Sequence, residues 1–259
     1  MKKMFIDKEL NIFYDDVAKE LIDKKNDSIF LNDESIVLVS EERWLEAQNY
    51  ERKTWMVSNK HISDDRNYEH YNRFNSYNEL VNYQKNNKIE TVIELGCGPF
   101  TNLRTILNKL PNLIRIDLLD PLLNDYLDHP NCFYKNKKVL GFDTYTHSTP
   151  IEKFTPEIKY DLIIMNNVLE HCYDISKIFE VIQNSLKPGG LFVFSDVYFT
   201  GDDAKKMVTE IYDAGHPIKI SKKILDNFLE NYEILYEKDF EKLYGQHWRN
   251  DKYFIGVKK

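Results

Sequence analysis

The stretch VIELGCGPFTNL, Val92 to Leu103, decides the fold. A short apolar run, Thr91-Val92-Ile93, leads to Glu94; two closely spaced glycines follow, and then helical periodicity sets in. The run reads as a buried parallel strand, because strands covered on both faces lose their apolar–polar alternation. Gly96 and Gly98 permit a tight turn and let another molecule approach bare backbone. After Thr101, the residues Leu103, Ile106, Leu107 and Leu110 recur at i, i+3, i+4 and i+7, which predicts one buried face of a helix. Strand, glycine turn and helix together make the nucleotide pocket that α/β folds build at the carboxyl edge of a sheet.

The glycine pattern narrows the nucleotide. A dinucleotide fingerprint needs G-x-G-x-x-G, so that a pyrophosphate can sit on the helix amino end. Here the string is Gly96-Cys97-Gly98-Pro99-Phe100-Thr101, without the third glycine and with Phe100 crowding the diphosphate position. No Gly-Lys-Ser/Thr follows either, which removes the phosphate-binding P-loop. An acid directly before the glycines repels phosphate and suits a cation. The string Glu94-Leu95-Gly96-Cys97-Gly98-Pro99 resembles motif I of the class I S-adenosylmethionine-dependent methyltransferases, of the bacterial small-molecule type.

The rest of that family's pattern follows in order. Leu113 to Leu119 is the next strand candidate, closed by Asp120-Pro121-Leu122. Asp120 lies 22 residues past Gly98, where such folds place an acid for the ribose diol. Asp117 is its competitor but falls inside the strand. The segment Ser148 to Glu152 resembles the loop bordering the adenine, with Thr149 and Ile151 as contacts. Tyr160 to Asn166 resembles the fourth strand, and Asn166, Asn167 and Val168 fall where its end faces the sulfonium. Ile175, Ile178, Phe179, Ile182 and Leu186 predict a helix, and LKPGGLFVFSD, Leu186 to Asp196, a Pro-Gly-Gly turn and fifth strand. The ending KYFIGVKK, Lys252 to Lys259, reads as a last, antiparallel strand. The resemblance implies a Rossmann-like α/β fold: a seven-stranded sheet with helices on both faces and an N-terminal helical cap. It further implies an S-adenosylmethionine site built from Glu94, Gly96, Cys97, Gly98, Asp120, Pro121, Leu122, Thr149, Ile151, Asn166, Asn167 and Val168.

Residues 1–88 precede this core, 89–259, as an expected cap or acceptor-pocket extension. They hold a helix candidate, Val17 to Lys25, and a strand-like run, Ser35 to Ser40. In Glu41 to Met56, the residues Trp44, Ala47, Gln48, Glu51 and Trp55 are spaced as faces of one helix. That helix either packs its tryptophans on the core or walls an acceptor pocket. Acceptor-pocket candidates are Trp55, Tyr71, Arg73, His171, Tyr198 and His216.

Composition sets the outer bounds. The chain has 259 residues, 42% hydrophobic, and a net charge of −7, which disfavours a nucleic-acid surface. No apolar run approaches a membrane span, and MKKMFIDKEL lacks an apolar signal core. Cys97, Cys132 and Cys172, odd in number and widely spaced, fit neither a disulfide framework nor a zinc site, and point to a reducing cytoplasm. No metal is expected: Asn166-Asn167 and Ser195-Asp196 depart from the clustered Asp and Asp-Asn set of metal-dependent methyltransferases.

Methyl transfer from a sulfonium is an in-line displacement with a neutral leaving group, so positioning is the protein's main work. A neutral hydroxyl acceptor calls for a general base. His171, just after the fourth strand, is the first candidate, either as base or as pocket scaffold; His216 is the second. Asp196 ends the fifth strand and either faces the pocket or caps a turn. The leading expectation is O-methylation of a small molecule: a sugar, nucleotide-linked or phosphoryl-type precursor of a cell-surface polysaccharide. The alternatives are N-methylation of a small amine and a non-catalytic S-adenosylmethionine-binding protein.

Overall fold

A computed structural model describes residues 35–57, 65–199, 214–241 and 250–259 in full, and 4–7 and 12–15 as backbone. Met4–Asp7 (β1) and Ile12–Asp15 (β2) pair as an antiparallel hairpin that the sequence reading did not anticipate. The helix candidate Val17 to Lys25 lies outside the described residues.

The main sheet has eight strands. They are Thr91–Leu95 (β3), Arg115–Leu119 (β4), Lys138–Val139 (β5), Phe142–His147 (β6), Tyr160–Asn166 (β7), Leu186–Tyr198 (β8), Tyr232–Glu241 (β9) and Asn250–Lys258 (β10). Their spatial order is β5-β6-β4-β3-β7-β8-β10-β9. β6, β4, β3, β7 and β8 run parallel, and β10 inserts antiparallel between β8 and β9. The expected seven strands are all present; the eighth is the two-residue β5, antiparallel on the edge of β6. The order reverses beside β3, so the carboxyl ends of β3, β4 and β7 open together at a topological switch point.

Alternation along the strands builds two cores. Ile93, Ile163, Met165, Phe192 and Phe194 face one side; Val92, Leu162, Ile164, Leu191 and Val193 face the other. Ile175–Ser185, capped by the Asp174 side chain accepting from Lys177 N at 3.0 Å, and Lys222–Leu229 cover the first face. Phe74, Tyr77 and Leu80, from the upstream segment, pack with Leu103, Ile106 and Leu107 on the second.

Upstream, Glu41–Met56 forms the predicted helix, here α1. Ser40 Oγ accepts from Arg43 N at 3.0 Å, while Glu41 and Glu42 suit the amino end and Lys53 the carboxyl end of the dipole. Asn67–Arg73 (α2) follows. Ile36 and Leu38 bridge to Lys219 and Asp174, so the strand-like run Ser35 to Ser40 is extended without joining the sheet.

Two local expectations need correction. The segment after the glycine turn is not an α-helix but two one-turn 3₁₀ pieces, Asn102–Thr105 and Leu107–Lys109, broken at Ile106 with φ −125°. Its four apolar residues are still buried, so periodicity named the buried face correctly and the helix type wrongly. The Lys187-Pro188-Gly189-Gly190 turn is absorbed into β8 as an irregularity, where the register shifts between Tyr160 and Leu162.

Candidate active site

The ends of β3, β4 and β7 border a cleft that is partly open to solvent. Its floor is the turn Gly96 to Phe100. Gly96 N and Cys97 N donate to Leu119 O at 2.8 and 3.1 Å, which stitches the turn to the neighbouring strand. Gly98 N donates to Asp120 Oδ2 at 3.0 Å, and Leu122 N to Asp120 Oδ1 at 2.9 Å. Burial raises the Asp120 carboxyl from 3.8 to about 6 despite those two donors.

Of the expected donor-site residues, Gly96, Cys97, Gly98, Asp120, Pro121, Leu122, Ile151, Asn166, Asn167 and Val168 all line this one cleft. Asn166 is 6% exposed; its Oδ1 accepts from Ser195 Oγ at 3.2 Å, and its Nδ2 has no hydrogen-bond partner. Thr149 does not line the cleft; its neighbours Pro150 and Ile151 do. Cys97 is buried with its thiol pushed well up by burial, so it packs rather than reacts.

Glu94 also lies outside the cleft. It shares the Val92 face of β3, is fully buried, and accepts from the Thr101 hydroxyl, Asn102 N (2.8 Å), Asn102 Nδ2 (2.9 Å) and Leu103 N (3.4 Å). The carboxylate therefore caps the 3₁₀ turn from beneath. Asn102, whose Nδ2 is turned down to Glu94, borders the cleft in place of the acid.

The opposite wall is α1, through Trp44, Gln48, Glu51 and Trp55. Trp44 Nε1 and Gln48 Nε2 donate to His171 O at 3.1 and 3.2 Å, and Arg52 pairs with Asp125 at 2.7 Å. The helix is thus tied to the segments after both β7 and β4. Trp55, an expected acceptor residue, lines the cleft and donates to Glu51 Oε2 at 3.0 Å.

His171 lines the cleft, and burial holds its imidazole below the usual range, so it is neutral near pH 7. Nδ1 sits 3.2 Å from Gly215 O, an acceptor only, so Nδ1 carries the hydrogen and Nε2 keeps its lone pair. His216 stacks on it, centroids 4.5 Å apart.

Three other expected residues stand elsewhere. Asp196 lies behind the cleft wall and accepts from Val168 N (2.8 Å), Leu169 N (2.6 Å) and Val197 N (2.8 Å), which fixes the turn carrying His171. Tyr198 packs under Lys252 and Lys222. Tyr71 faces Lys109. Arg73 is two hydrogen bonds removed from the cleft: its Nη1 donates to Tyr253 OH at 3.0 Å, and that hydroxyl is 2.9 Å from His70 Nδ1. Burial lowers His70 to about 3, so the neutral ring accepts from the tyrosine and is held in the cleft wall.

Sequence reasoning missed Arg66, Asn67 and His70, which line the cleft one helical face away from Tyr71 and Arg73. Asn67 Nδ2 donates to Phe100 O at 3.1 Å and Thr101 O at 2.7 Å, bracing the glycine turn. Glu152 was missed too; it accepts from Tyr173 N at 2.7 Å, and burial raises it to about 7. Nor did spacing suggest the meeting of Glu51, His171 and His216, the only potential metal-ligand group of three among the described residues.

Residues 68–233 match a family model described as a methyltransferase domain. Over 155 residues the chain is 31% identical to malonyl-[acyl-carrier protein] O-methyltransferase 2 of Ilyobacter polytropus, 57% of this chain and 56% of that protein. The chain thus spans just over half the length of this curated relative. Among solved structures, N-methyltransferase NodS from Bradyrhizobium japonicum WM9, in complex with S-adenosyl-L-homocysteine, superposes with a TM-score of 0.54 at 13% identity, covering 82% of this chain and 98% of its own. A SAM-dependent methyltransferase from Leishmania major gives 0.57 at 14% identity over 98% and 96%. At such identities the structures share the fold.

Proposed function

Since the chain belongs to the methyltransferase-domain family, we propose that it transfers the methyl group of S-adenosylmethionine to a hydroxyl oxygen of a small acceptor. A sugar precursor of a cell-surface polysaccharide is the acceptor class we favour. The observation that carries this reading is the juxtaposition, in one cleft, of the donor turn with Asp120 and Asn166 and of His171 with Glu51. Asp120 stands at the strand end where its carboxylate would accept from a ribose diol, and Asn166 and Asn102 border the same cleft with amide groups that suit the carboxylate and ammonium of a methionine moiety.

Charge favours a neutral acceptor. Glu51, Asp120, Glu152 and Asp251 line the cleft, whereas Arg66 is the only lysine or arginine among its described lining residues. A carboxylate or phosphoryl acceptor would meet repulsion, so a phosphoryl-type precursor is the weaker variant. Trp44 and Trp55 with Gln48 give the mixed apolar and polar wall that a polyol suits. The net charge of −7 supports a small molecule over a nucleic acid. The three free cysteines fit a cytoplasmic enzyme, and among the described residues no helix is long and apolar enough to cross a membrane.

A hydroxyl must lose its proton as it attacks, and the neutral His171 is placed to help. Replacing His171 or His216 by alanine should lower kcat about 10²–10⁴-fold in a methyl-transfer assay while S-adenosylhomocysteine still binds. Near-normal turnover in both variants would remove the histidines from the chemistry.

The donor site carries its own pH signature. Asp120 has its folded-state value raised from 3.8 to about 6, so the unliganded fold keeps the proton longer than the unfolded chain. Its contribution to stability therefore falls as pH rises through that window. Donor binding runs the other way, because ribose hydroxyls donate to the ionised carboxylate. Calorimetry with S-adenosylhomocysteine should show affinity about tenfold weaker at pH 5 than at pH 7. An affinity flat across that range would exclude Asp120 from ribose binding.

A further inference from the structure

Glu51, His171 and His216 each offer one ligand atom, and these three atoms lie within 4.8 Å of one another. They come from α1, from the turn after β7 and from Gly215-His216-Pro217, segments far apart in sequence. His171 Nδ1 is 3.8 Å from Glu51 Oε1, and the two imidazole rings are 4.5 Å apart. All three side chains are mostly buried, at 14%, 18% and 27% exposure for Glu51, His171 and His216.

The surroundings are those of a built ligand set. Gly215 O, 3.2 Å from His171 Nδ1, orients the ring within this group, and an imidazole committed to an ion no longer serves as the base itself. Glu170 Oε1 stands 3.7 Å from His216 Nε2, a carboxylate beside the second ring. Two imidazoles and a carboxylate suit borderline divalent ions, whereas Mg²⁺ and Ca²⁺ prefer oxygen alone.

Resting on the methyl-transfer reading, we propose that Glu51, His171 and His216 bind a divalent transition-metal ion that holds and acidifies the acceptor hydroxyl. An ion about 2.1 Å from each ligand needs ligand pairs roughly 3–3.5 Å apart, so the side chains close by about 1 Å on loading. Three protein ligands leave coordination positions open for the acceptor oxygen and for water. The acceptor hydroxyl gives its proton to water. Its oxygen then forms the new C–O bond as the S–CH₃ bond breaks, and the bonding pair stays on sulfur as a neutral thioether. No electrons are exchanged with any other species. Nothing in the residue spacing signals this site, because it matches no ligand motif and the group exists only once α1 lies over the cleft.

The test uses untagged, full-length protein treated with chelator and titrated with Co²⁺, read by visible absorption and metal analysis. The expected result is one Co²⁺ per chain with bands of nitrogen- and oxygen-ligated cobalt. Binding should weaken at least tenfold in each of Glu51→Gln, His171→Gln and His216→Gln, all of which keep S-adenosylhomocysteine binding. X-ray absorption on the Co²⁺-loaded wild type should show two imidazoles in the shell, a readout that needs no variant to fold. Absence of stoichiometric Co²⁺, fewer than two imidazoles, or binding that survives all three substitutions would overturn the site. S-adenosylhomocysteine binding without Co²⁺ binding overturns the metal and spares the donor reading. Co²⁺ binding without S-adenosylhomocysteine binding supports the metal and overturns the donor reading.

Discussion

Gly96→Ala should abolish measurable S-adenosylhomocysteine binding and lower the melting midpoint by about 5–15 °C. Gly96 has φ +69°, and a Cβ there would stand 2.3 and 2.6 Å from the two γ-methyls of Val168. The left-handed backbone costs an alanine about 1–2 kcal/mol, and the overpacking about 1–3 kcal/mol more. Val168 cannot simply step aside, because it begins the turn that Asp196 clamps through Val168 N and Leu169 N. Adding Val168→Ala removes the γ-methyls and should recover part of the loss, leaving the backbone strain. Gly98 provides the contrast. Its φ is +53°, but an added Cβ meets nothing within 4 Å. Gly98→Ala should therefore cost only about 1–2 kcal/mol in the unliganded protein and show its larger defect in donor affinity. Thermal scans with and without S-adenosylhomocysteine separate the two glycines; equal melting of both variants would refute the close approach at Gly96.

Asp120→Ala should weaken S-adenosylhomocysteine binding by about a hundredfold or more. A hydrogen bond to a charged group is worth about 1.5–3 kcal/mol, and the ribose diol has two hydroxyls to offer. The alanine also leaves Gly98 N and Leu122 N without their acceptor, which loosens the turn under the ligand. Asp120→Asn keeps the size and one acceptor oxygen, so its affinity should fall between wild type and alanine. Calorimetry gives the order directly, and the thermal shift produced by ligand repeats it through mass action. If alanine and wild type bind alike, the ribose lies elsewhere.

The lining of the cleft at the strand ends was largely legible in the sequence. Strand ends are marked by where apolar runs stop, and the residues at those ends, Gly96, Asp120 and Asn166, fall at the switch point whatever the helices do. Glu94 shows the limit of that logic. Its place at a strand end was readable, but the period of two puts it on the Val92 face, where Thr101 and Asn102 consume it. The acceptor half was poorly legible. Periodicity identified α1 as a helix, but the seven residues of α2 carry no spacing that says which face turns inward, and Arg66, Asn67 and His70 line the wall where Tyr71 and Arg73 were expected. Tyr198 failed for a related reason, since the end of β8 is covered by Lys252 on the neighbouring strand. The break at Ile106 left no trace in an apolar pattern that a 3₁₀ pair satisfies as well as an α-helix.

α1 grips the far wall by a main-chain atom. Trp44 and Gln48 both donate to the carbonyl of residue 171, which every amino acid supplies, and not to its imidazole. The docking of α1 is therefore indifferent to the side chain at position 171: a substitution there removes the imidazole's own contacts with Gly215 O and His216 but leaves both anchors of the helix in place.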